Sequence, residues 1–430
     1  QDAEAEFYRG LAAGITFEEL IEVRAPKPTL MTFVSRDEYL SLQGAREAYS
    51  EASRAYEVFN KKENLELVED DSKHWLTPKI RHAIFAFFMK HFELAGDPSE
   101  QDVEILTADE LRVTPTGQIA TSFGGKMVFD INKQETEKLI DKLEVSRKDM
   151  EMHLNSIPTK AKVISGYVSP GSKAEEPFIN GRYQRQGYSV GKYALKGEGE
   201  YAIPILLFVP DDTREKHAAL IYLHPQGKIS EANTSGEIEK LVKKGYIVAA
   251  TDVLGVGETK NTASRGLADG YTGVLIGRSV IGIQAGDIVR VTKYLQSRHD
   301  VDPDKIGALA IAGMCLPLIH AAAFDSSINN ITLINSPISY RSIVMNRFYK
   351  IGLTKHGDGD YWHPYEVDFS WGIAGVLTGY DLPDLIGCIA PRKVTLADLQ
   401  DHMLKPAPEA LINEELAFPR AVYTSDNAAS

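Results

Sequence analysis

The feature that most constrains the fold of this chain is a strand–turn–helix pattern in residues 305–325, KIGALAIAGMCLPLIHAAAFD. Residues 306–311 have the length and apolar composition of a buried strand, Ala312-Gly313 is a candidate tight turn, and the following residues predict a buried helix. This is the frame of a nucleophile elbow, in which a Ser stands on the sharp turn inside G-x-S-x-G. Here the pentapeptide is AIAGM, and the nucleophile position falls on Ala312. That side chain has no atom that could attack a carbonyl carbon.

The pattern around this motif predicts an α/β fold. From residue 181 onward, short apolar strands alternate with helix-length segments, which favours a mostly parallel sheet with helices on both faces. Residues 188–210 predict a hairpin of two strands, and residues 133–154 predict one charged helix. In the first 95 residues, we predict helices at 43–59 and 78–92 and strands at 25–34 and 65–70.

Two stretches far apart in the chain have similar sequences. Residues 20–38, LIEVRAPKPTLMTFVSRDE, resemble residues 385–403, LIGCIAPRKVTLADLQDHM, and Ala390-Pro391 lies 365 positions after Ala25-Pro26. A fixed offset of this size indicates an internal repeat as long as one large domain. We therefore predict that residues 1–95 are the C-terminal part of a first repeat, that 96–160 are a linker and helical extension, and that 161–430 form a second repeat.

Asp37 and His74 are the candidate catalytic pair. Each follows a predicted strand, and a helix separates the two strands. In elbow-type hydrolytic sites, an acid and then a His follow the nucleophile along the chain. The acid would fix the His tautomer, and the His would take a proton from a Ser. The alternative is a turn-forming Asp and a surface His.

Three other features have a functional and a plainer structural interpretation. The backbone N–H groups of Gln226 and Gly227, together with Gly313, could form an oxyanion-like loop, or 224–227 is only a turn. Cys315 is either a substitute nucleophile or an interior thiol. The segment HGDGDYWH at 356–363 holds possible ligand side chains, but its spacing matches no specific site, and we predict no metal and no cofactor.

Composition excludes some classes of partner. The formal net charge of −13 argues against nucleic acid and anionic membrane surfaces, since phosphate binding needs a basic face. No run of about 18 apolar residues predicts a membrane span.

Several segments resemble the bacterial acetylxylan-esterase-like α/β-hydrolases. They are LHPQGK at 223–228, GYIVAATDVLGVGET at 245–259, GRS at 277–279, VDPDKIG at 301–307, HAAAFD at 320–325, and, near the start, APKPTLM at 25–31 and EDDSKH at 69–74. The resemblance implies an α/β-hydrolase fold, with Asp37 and His74 closing a triad whose Ser lies outside this chain. It also implies that Ala312 makes the second repeat catalytically silent.

The resemblance implies a carboxylic-ester hydrolase that acts on an acylated polysaccharide or oligosaccharide outside the cytoplasm. The missing front half of the first repeat would then be another chain or segment, or the chain would form a homo-oligomer. One alternative is a non-catalytic pseudo-hydrolase that serves as a glycan-binding or structural module. Another is that residues 1–93 complete the second repeat, with LELVED pairing beside the APRKVTL strand.

Overall fold

The computed structural model describes residues 8–174, 176–260, 268–350 and 369–425. The chain forms two compact units: a smaller one up to residue 125, to which residues 275–277 also belong, and a larger one that takes the remainder. Among the described residues, no helix is both long enough and apolar enough to cross a membrane.

The smaller unit is built around two parallel strands. Its elements are α1 (Phe17–Glu22), β1 (Thr29–Val34), α2 (Leu42–Val58), β2 (Leu65–Asp70), α3 (Pro78–His91) and α4 (Ile119–Phe123). β1 and β2 pair from Thr29 opposite Leu65 to Val34 opposite Asp70. Met31, Ala52, Tyr56 and Leu65 form a small core between these strands and α2. The predicted strands and helices of this region are confirmed to within a few residues. LELVED pairs with β1, so the arrangement in which it extends the larger sheet is wrong.

The larger unit contains an eight-stranded sheet. Its strands are β3 (Phe178–Arg185), β4 (Tyr188–Lys196), β5 (Ala202–Pro210), β6 (His217–Leu223), β7 (Ile247–Thr251), β8 (Val301–Ile311), β9 (Asn330–Ile334) and β10 (Lys393–Ala397). Their order across the sheet is β10-β9-β8-β6-β7-β5-β4-β3. The five strands from β10 to β7 are parallel, and β5, β4 and β3 continue in antiparallel pairs.

Helices cover both faces of this sheet, because the central strands are apolar on both sides. The helices of the larger unit are α5 (Val128–Arg147), α6 (Met150–Ser165), α7 (Glu237–Lys243), α8 (Ala268–Ile276), α9 (Val280–Ser297), α10 (Cys315–Phe324), α11 (Tyr340–Val344), α12 (Leu382–Ile389), α13 (Glu409–Glu415) and α14 (Ala417–Ser425). Ala249 of β7 faces the cluster formed with α6, α9, α10 and α12, whereas Val248 and Ala250 face the cluster formed with α7. The predicted α/β-hydrolase-type fold class is confirmed by this order and layering.

In the larger unit, one sequence prediction is wrong and one strand was not predicted. The charged helix expected at 133–154 is two helices, α5 and α6, because Asp149 caps a new helix by accepting a hydrogen bond from the Met152 N–H at 3.1 Å. The hairpin expected at 188–210 is confirmed, since β4 and β5 pair from Tyr188 opposite Pro210 to Lys196 opposite Ala202, but the sequence did not predict the strand β3 that precedes it. Since all but the last residue of β3 are exposed, this strand lacks the apolar alternation that would have revealed it.

The two similar stretches of sequence have corresponding structural elements. At an offset of 365 residues, α1 corresponds to α12, β1 to β10, and α2 to the pair α13 and α14. Both first helices begin with a capping box: the Thr16 N–H donates to Glu19 at 2.6 Å, and the Asp381 N–H donates to Asp384 at 2.7 Å. The Ala-Pro bond that precedes each strand is cis.

The capping carboxylate of Asp384 is also the centre of a buried ionic cluster. Arg147 donates to its two oxygens at 2.7 and 3.0 Å, and His153 Nε2 lies 2.9 Å from Oδ1. His153 Nδ1 lies 2.8 Å from the hydroxyl of Ser146. Burial opposes the charged form of Asp384, but the hydrogen bonds from His153 and Arg147 outweigh it and hold the pKa of this carboxyl below its ordinary value. The cluster ties the end of α5 and the start of α6 to α12.

We predict that Arg147→Ala strongly destabilises the chain, because it leaves the buried Asp384 carboxylate without its cation. The expected loss is about 3–5 kcal/mol in the free energy of unfolding at pH 7, measured by urea denaturation. Lys138→Ala on the same helix removes an exposed pair with Glu135 and is the matched control. Equal effects of the two substitutions would contradict the prediction.

Candidate functional site

The structure brings Asp37 and His74 together. Asp37 follows the carboxyl end of β1, His74 follows the carboxyl end of β2, and parallel pairing places these two ends side by side. His74 Nδ1 lies 2.8 Å from Asp37 Oδ2. The Asp37 side chain is only 6 % exposed, whereas that of His74 is 52 % exposed. The acid is therefore fixed in the interior of the loop, and the imidazole extends towards its surface.

The surroundings of Asp37 keep it ionised and oriented. Its other oxygen, Oδ1, accepts hydrogen bonds from the backbone N–H groups of Tyr39 at 2.8 Å and Leu40 at 3.1 Å. Burial acts to raise its pKa, but these N–H groups and the hydrogen bond with His74 outweigh burial and leave the pKa below its ordinary value. An ionised Asp37 selects the tautomer that carries its proton on Nδ1. Nε2 is then the nitrogen that can accept a proton.

A cavity of about 290 Å³ adjoins this pair. Phe33 and Leu40 lie on its wall together with Trp75 and Leu76, which follow His74 directly in the chain. Trp75 is 71 % exposed and Leu76 55 % exposed. The pair therefore borders a mainly apolar recess in which the imidazole is accessible, as a group that exchanges protons with a ligand must be.

The larger unit contains the predicted elbow, and the backbone of its turn is in a strained conformation. Ala312 lies between β8 and α10 and has φ of 52°, a left-handed conformation that costs an alanine free energy. The next residue, Gly313, is buried against Trp371, and a Cβ at this position would overlap the indole ring. The turn thus has the sharp geometry of a nucleophile elbow, with a methyl group where a nucleophile would stand.

In the proposed oxyanion-like loop, the backbone N–H groups of Gln226 and Gly227 donate to atoms of the same loop. The Gln226 N–H donates to His224 Nδ1 at 3.1 Å, and the Gly227 N–H donates to the His224 carbonyl at 2.9 Å. This is the turn that the plainer interpretation expected. An oxyanion role for Gln226, Gly227 and Gly313 remains a prediction.

Cys315 is an interior thiol. It is fully buried, its Sγ donates to the Ala310 carbonyl at 3.3 Å, and burial raises the pKa of the thiol to about 12. A thiol that stays protonated at neutral pH is a poor nucleophile. The substitute-nucleophile interpretation therefore finds no support in the structure.

Sequence reasoning missed Asp401, which follows β10 much as Asp37 follows β1. Its Oδ1 accepts the backbone N–H groups of Met403 at 2.8 Å and Lys405 at 3.0 Å. The signal was available in the repeat, because Asp401 lies 364 positions after Asp37 and one residue from the strict offset. The larger unit therefore has an oriented carboxyl group in the loop after β10, and an alanine at the centre of its elbow.

The described residues hold no group of three or more His, Cys, Asp or Glu side chains that could bind a metal ion. The segment 356–363, which the sequence analysis considered for such a role, lies outside the described residues.

Comparison with known proteins gives distant relatives. No family model matches the chain. The Bacillus subtilis protein YtaP, provisionally named a hydrolase, is 23 % identical over 259 residues, which are 57 % of this chain and 80 % of YtaP. A provisionally assigned acetyl xylan esterase from Bacteroides fragilis is similar in structure, with a TM-score of 0.49 and 16 % identity over 66 % of this chain and 74 % of that one. A glucuronoyl esterase from Teredinibacter turnerae has a TM-score of 0.44 and 13 % identity over 82 % of this chain and 90 % of its own.

We predict that Ala312→Gly stabilises the larger unit, because glycine adopts a positive φ without steric cost. The expected gain is about 0.5–1 kcal/mol in the free energy of unfolding, after the greater entropy of glycine in the unfolded chain is taken into account. Ala310→Gly, on the preceding strand, should instead destabilise the chain. Urea denaturation of both variants tests this, and a loss of stability in Ala312→Gly would contradict it.

We also predict that the stabilising effect of Asp37 depends on pH. Its pKa in the folded chain is below the unfolded value, so its contribution is fully present above about pH 4 and is lost as the pH falls through the folded pKa. At pH 7, Asp37→Asn should lower the free energy of unfolding by about 1 kcal/mol. The difference between the two proteins should shrink when the same urea denaturation is done near pH 3. A difference that stays constant would show that the ionised form is not the stabilising one.

Proposed function

We propose that this chain is part of a carboxylic-ester hydrolase that acts on an acylated polysaccharide or oligosaccharide. Asp37 and His74 supply the acid and the base of its catalytic triad. The observation that carries the proposal is the 2.8 Å contact between His74 Nδ1 and Asp37 Oδ2, next to an apolar recess. The name of YtaP agrees with the hydrolase part of the proposal. The carbohydrate part rests on the resemblance of the quoted segments to the acetylxylan-esterase-like group.

The chemistry follows from the orientation of the imidazole. His74 Nε2 takes the proton of a Ser hydroxyl as its oxygen attacks the ester carbonyl carbon, and Asp37 stabilises the imidazolium that forms. His74 then gives this proton to the departing alcohol. Water repeats the sequence on the acyl-enzyme and releases the carboxylic acid. In this proposal, the Ser comes from polypeptide other than residues 1–430.

The larger unit has a different role in the proposal. With Ala312 at the elbow it is catalytically silent, and it serves as a scaffold or a glycan-contacting domain. The two units would be parts of successive hydrolase repeats. The exposed Trp75 beside His74 would suit the apolar face of a sugar ring, and the location would be outside the cytoplasm.

The second candidate function is a non-catalytic pseudo-hydrolase that binds glycans or has a structural role. The specific observation in its favour is Ala312, since the elbow retains its strained turn without a nucleophile. The two candidates differ in whether Asp37 and His74 ever act on an ester.

The first test is hydrolysis of 4-nitrophenyl acetate by the purified chain. We expect a rate equal to that of the His74→Ala variant, because the proposal places the Ser that His74 activates in other polypeptide. A rate that His74→Ala abolishes would mean that the chain contains its own nucleophile and would overturn the proposal that the Ser lies elsewhere.

The second test co-expresses the chain with a hydrolase segment of the acetylxylan-esterase-like group that carries an elbow Ser. We expect turnover of 4-nitrophenyl acetate and release of acetate from acetylated xylan, both lost in His74→Ala. Asp37→Asn should lower kcat by up to about 10⁴-fold. If the co-expressed protein is folded and inactive but sediments with insoluble xylan, the pseudo-hydrolase function is correct and the esterase proposal is wrong.

A further inference from the structure

A long groove runs beside β10, the last strand of the eight-stranded sheet. Among the residues that the structure describes, β10 has β9 as its sheet partner and no strand on its other edge. The groove has a volume of about 1100 Å³ and lies between β10 and α14. Val394 and Leu396 form its strand side, and Leu416 and Tyr423 lie on its helix side. An apolar groove next to an unpaired strand edge is a natural place for a further strand.

The smaller unit contains the same strand and helix with this position filled. In the smaller unit, the Tyr56 hydroxyl of α2 donates to the Lys27 carbonyl at 2.9 Å, just before β1. In the larger unit, the Tyr423 hydroxyl of α14 donates to the Arg392 carbonyl at 2.7 Å, just before β10. Arg392 lies 365 positions after Lys27, so the two tyrosines join helix to strand at equivalent points.

The two tyrosines differ in what covers them. In the smaller unit, β2 lies along β1, and its Leu65 is 3 % exposed in the cluster that contains Met31 and Tyr56. Tyr56 is fully buried there. Tyr423 is only half-buried and borders the groove. The groove is therefore the place that β2 occupies in the smaller unit.

The backbone of β10 is oriented to accept a strand in this place. The Ser35 N–H donates to the Asp70 carbonyl, so alternate residues of β1, including Thr29 and Met31, direct their peptide groups towards β2. In β10, the Ala397 carbonyl accepts from Asn335 on the β9 side. Val394 and Leu396 consequently direct theirs to the open edge. Val394 and Leu396 lie 365 positions after Thr29 and Met31. The register given by the sequence offset is therefore also the register in which the peptide groups of β10 face an incoming strand.

The charges at the groove favour the same kind of strand. β2, with the sequence LELVED, carries Glu66, Glu69 and Asp70. Lys393 and Arg420 lie at the groove, against one acidic residue, Asp398. An acidic strand with apolar residues at alternate positions is thus complementary to the groove in charge as well as in shape.

We propose that the groove between β10 and α14 is a docking surface for a β-strand and following helix of the kind that β2 and α3 represent. The incoming strand adds parallel to β10, with the residue equivalent to Leu65 opposite Val394. Its apolar side chains fill the groove over Tyr423, and its backbone pairs with Val394 and Leu396. This is strand addition to a sheet edge, in which the backbone supplies affinity and the groove supplies selectivity.

The test uses the full chain and a synthetic peptide with the sequence of residues 62–92. We measure hydrogen–deuterium exchange of the backbone amides of β10. At a peptide concentration ten times the dissociation constant, exchange at Val394 and Leu396 should slow about tenfold, because the bound fraction protects these amides. Lack of slowing at a peptide concentration that saturates any binding, or slowing spread evenly over the sheet, would overturn the proposal.

Two matched controls make the result specific. A peptide with Val68→Pro loses an N–H that faces β1 in the smaller unit, so it should not protect β10. In the protein, Leu396→Asn puts a polar amide into the groove and should remove most of the protection, whereas Thr395→Asn, on the exposed opposite face of β10, should leave it unchanged. Equal protection by both peptides would mean non-specific apolar adhesion and would refute the proposal. Protection that rises with protein concentration alone, together with a dimer in sedimentation, would show that a second copy covers the groove and would also refute it.

Discussion

Parallel pairing of strands is the interaction on which both halves of this structure depend. Two parallel strands end at the same edge of a sheet, so residues that follow them meet although they lie far apart in the chain. The pairing of β1 with β2 brings Asp37 to His74 across 37 residues. In the larger sheet, the same rule places the elbow at Ala312, after β8, and the carboxylate of Asp401, after β10, at the same edge of the sheet, with β9 between these two strands. Without the strand register, neither set of loops would have a defined geometry.

The elbow of the larger unit has a strained backbone although its central residue, Ala312, carries no nucleophilic atom. A positive φ at Ala312 costs free energy that packing must offset, and the close contact between Gly313 and Trp371 holds the turn in place. The buried thiol of Cys315, at the start of the following helix, donates to the carbonyl groups of Ala310 on β8 and Ile334 on β9. An elbow is thus determined by the packing of strand, turn and helix, and the identity of its central side chain is a separate matter.

The two similar stretches show how one local design behaves in two environments. Both keep the capping box, the Ala-Pro strand entry and the tyrosine that joins helix to strand, since these contacts are local or nearly so. The two stretches differ in which other elements pack against these contacts. The carboxylate of Asp384 is buried under Arg147 and His153, whereas its counterpart Glu19 has exposed partners. Tyr56 is covered by β2, and Tyr423 borders a groove. Burial by other elements, and not the local sequence, sets these differences.

The sequence by itself determined the α/β class, the elbow frame with alanine in its centre, the pairing of Asp37 with His74, and the two similar stretches. These follow from apolar periodicity, turn residues and the order of loops, which are local signals. Only the tertiary structure decided that LELVED pairs with β1, that α5 and α6 are separate helices, and that β3 extends the sheet. It alone showed that Asp401 is oriented like Asp37 and that β10 borders a groove. Those outcomes depend on long-range packing: an exposed strand such as β3 has no apolar pattern, and the burial of a side chain depends on elements distant in the chain.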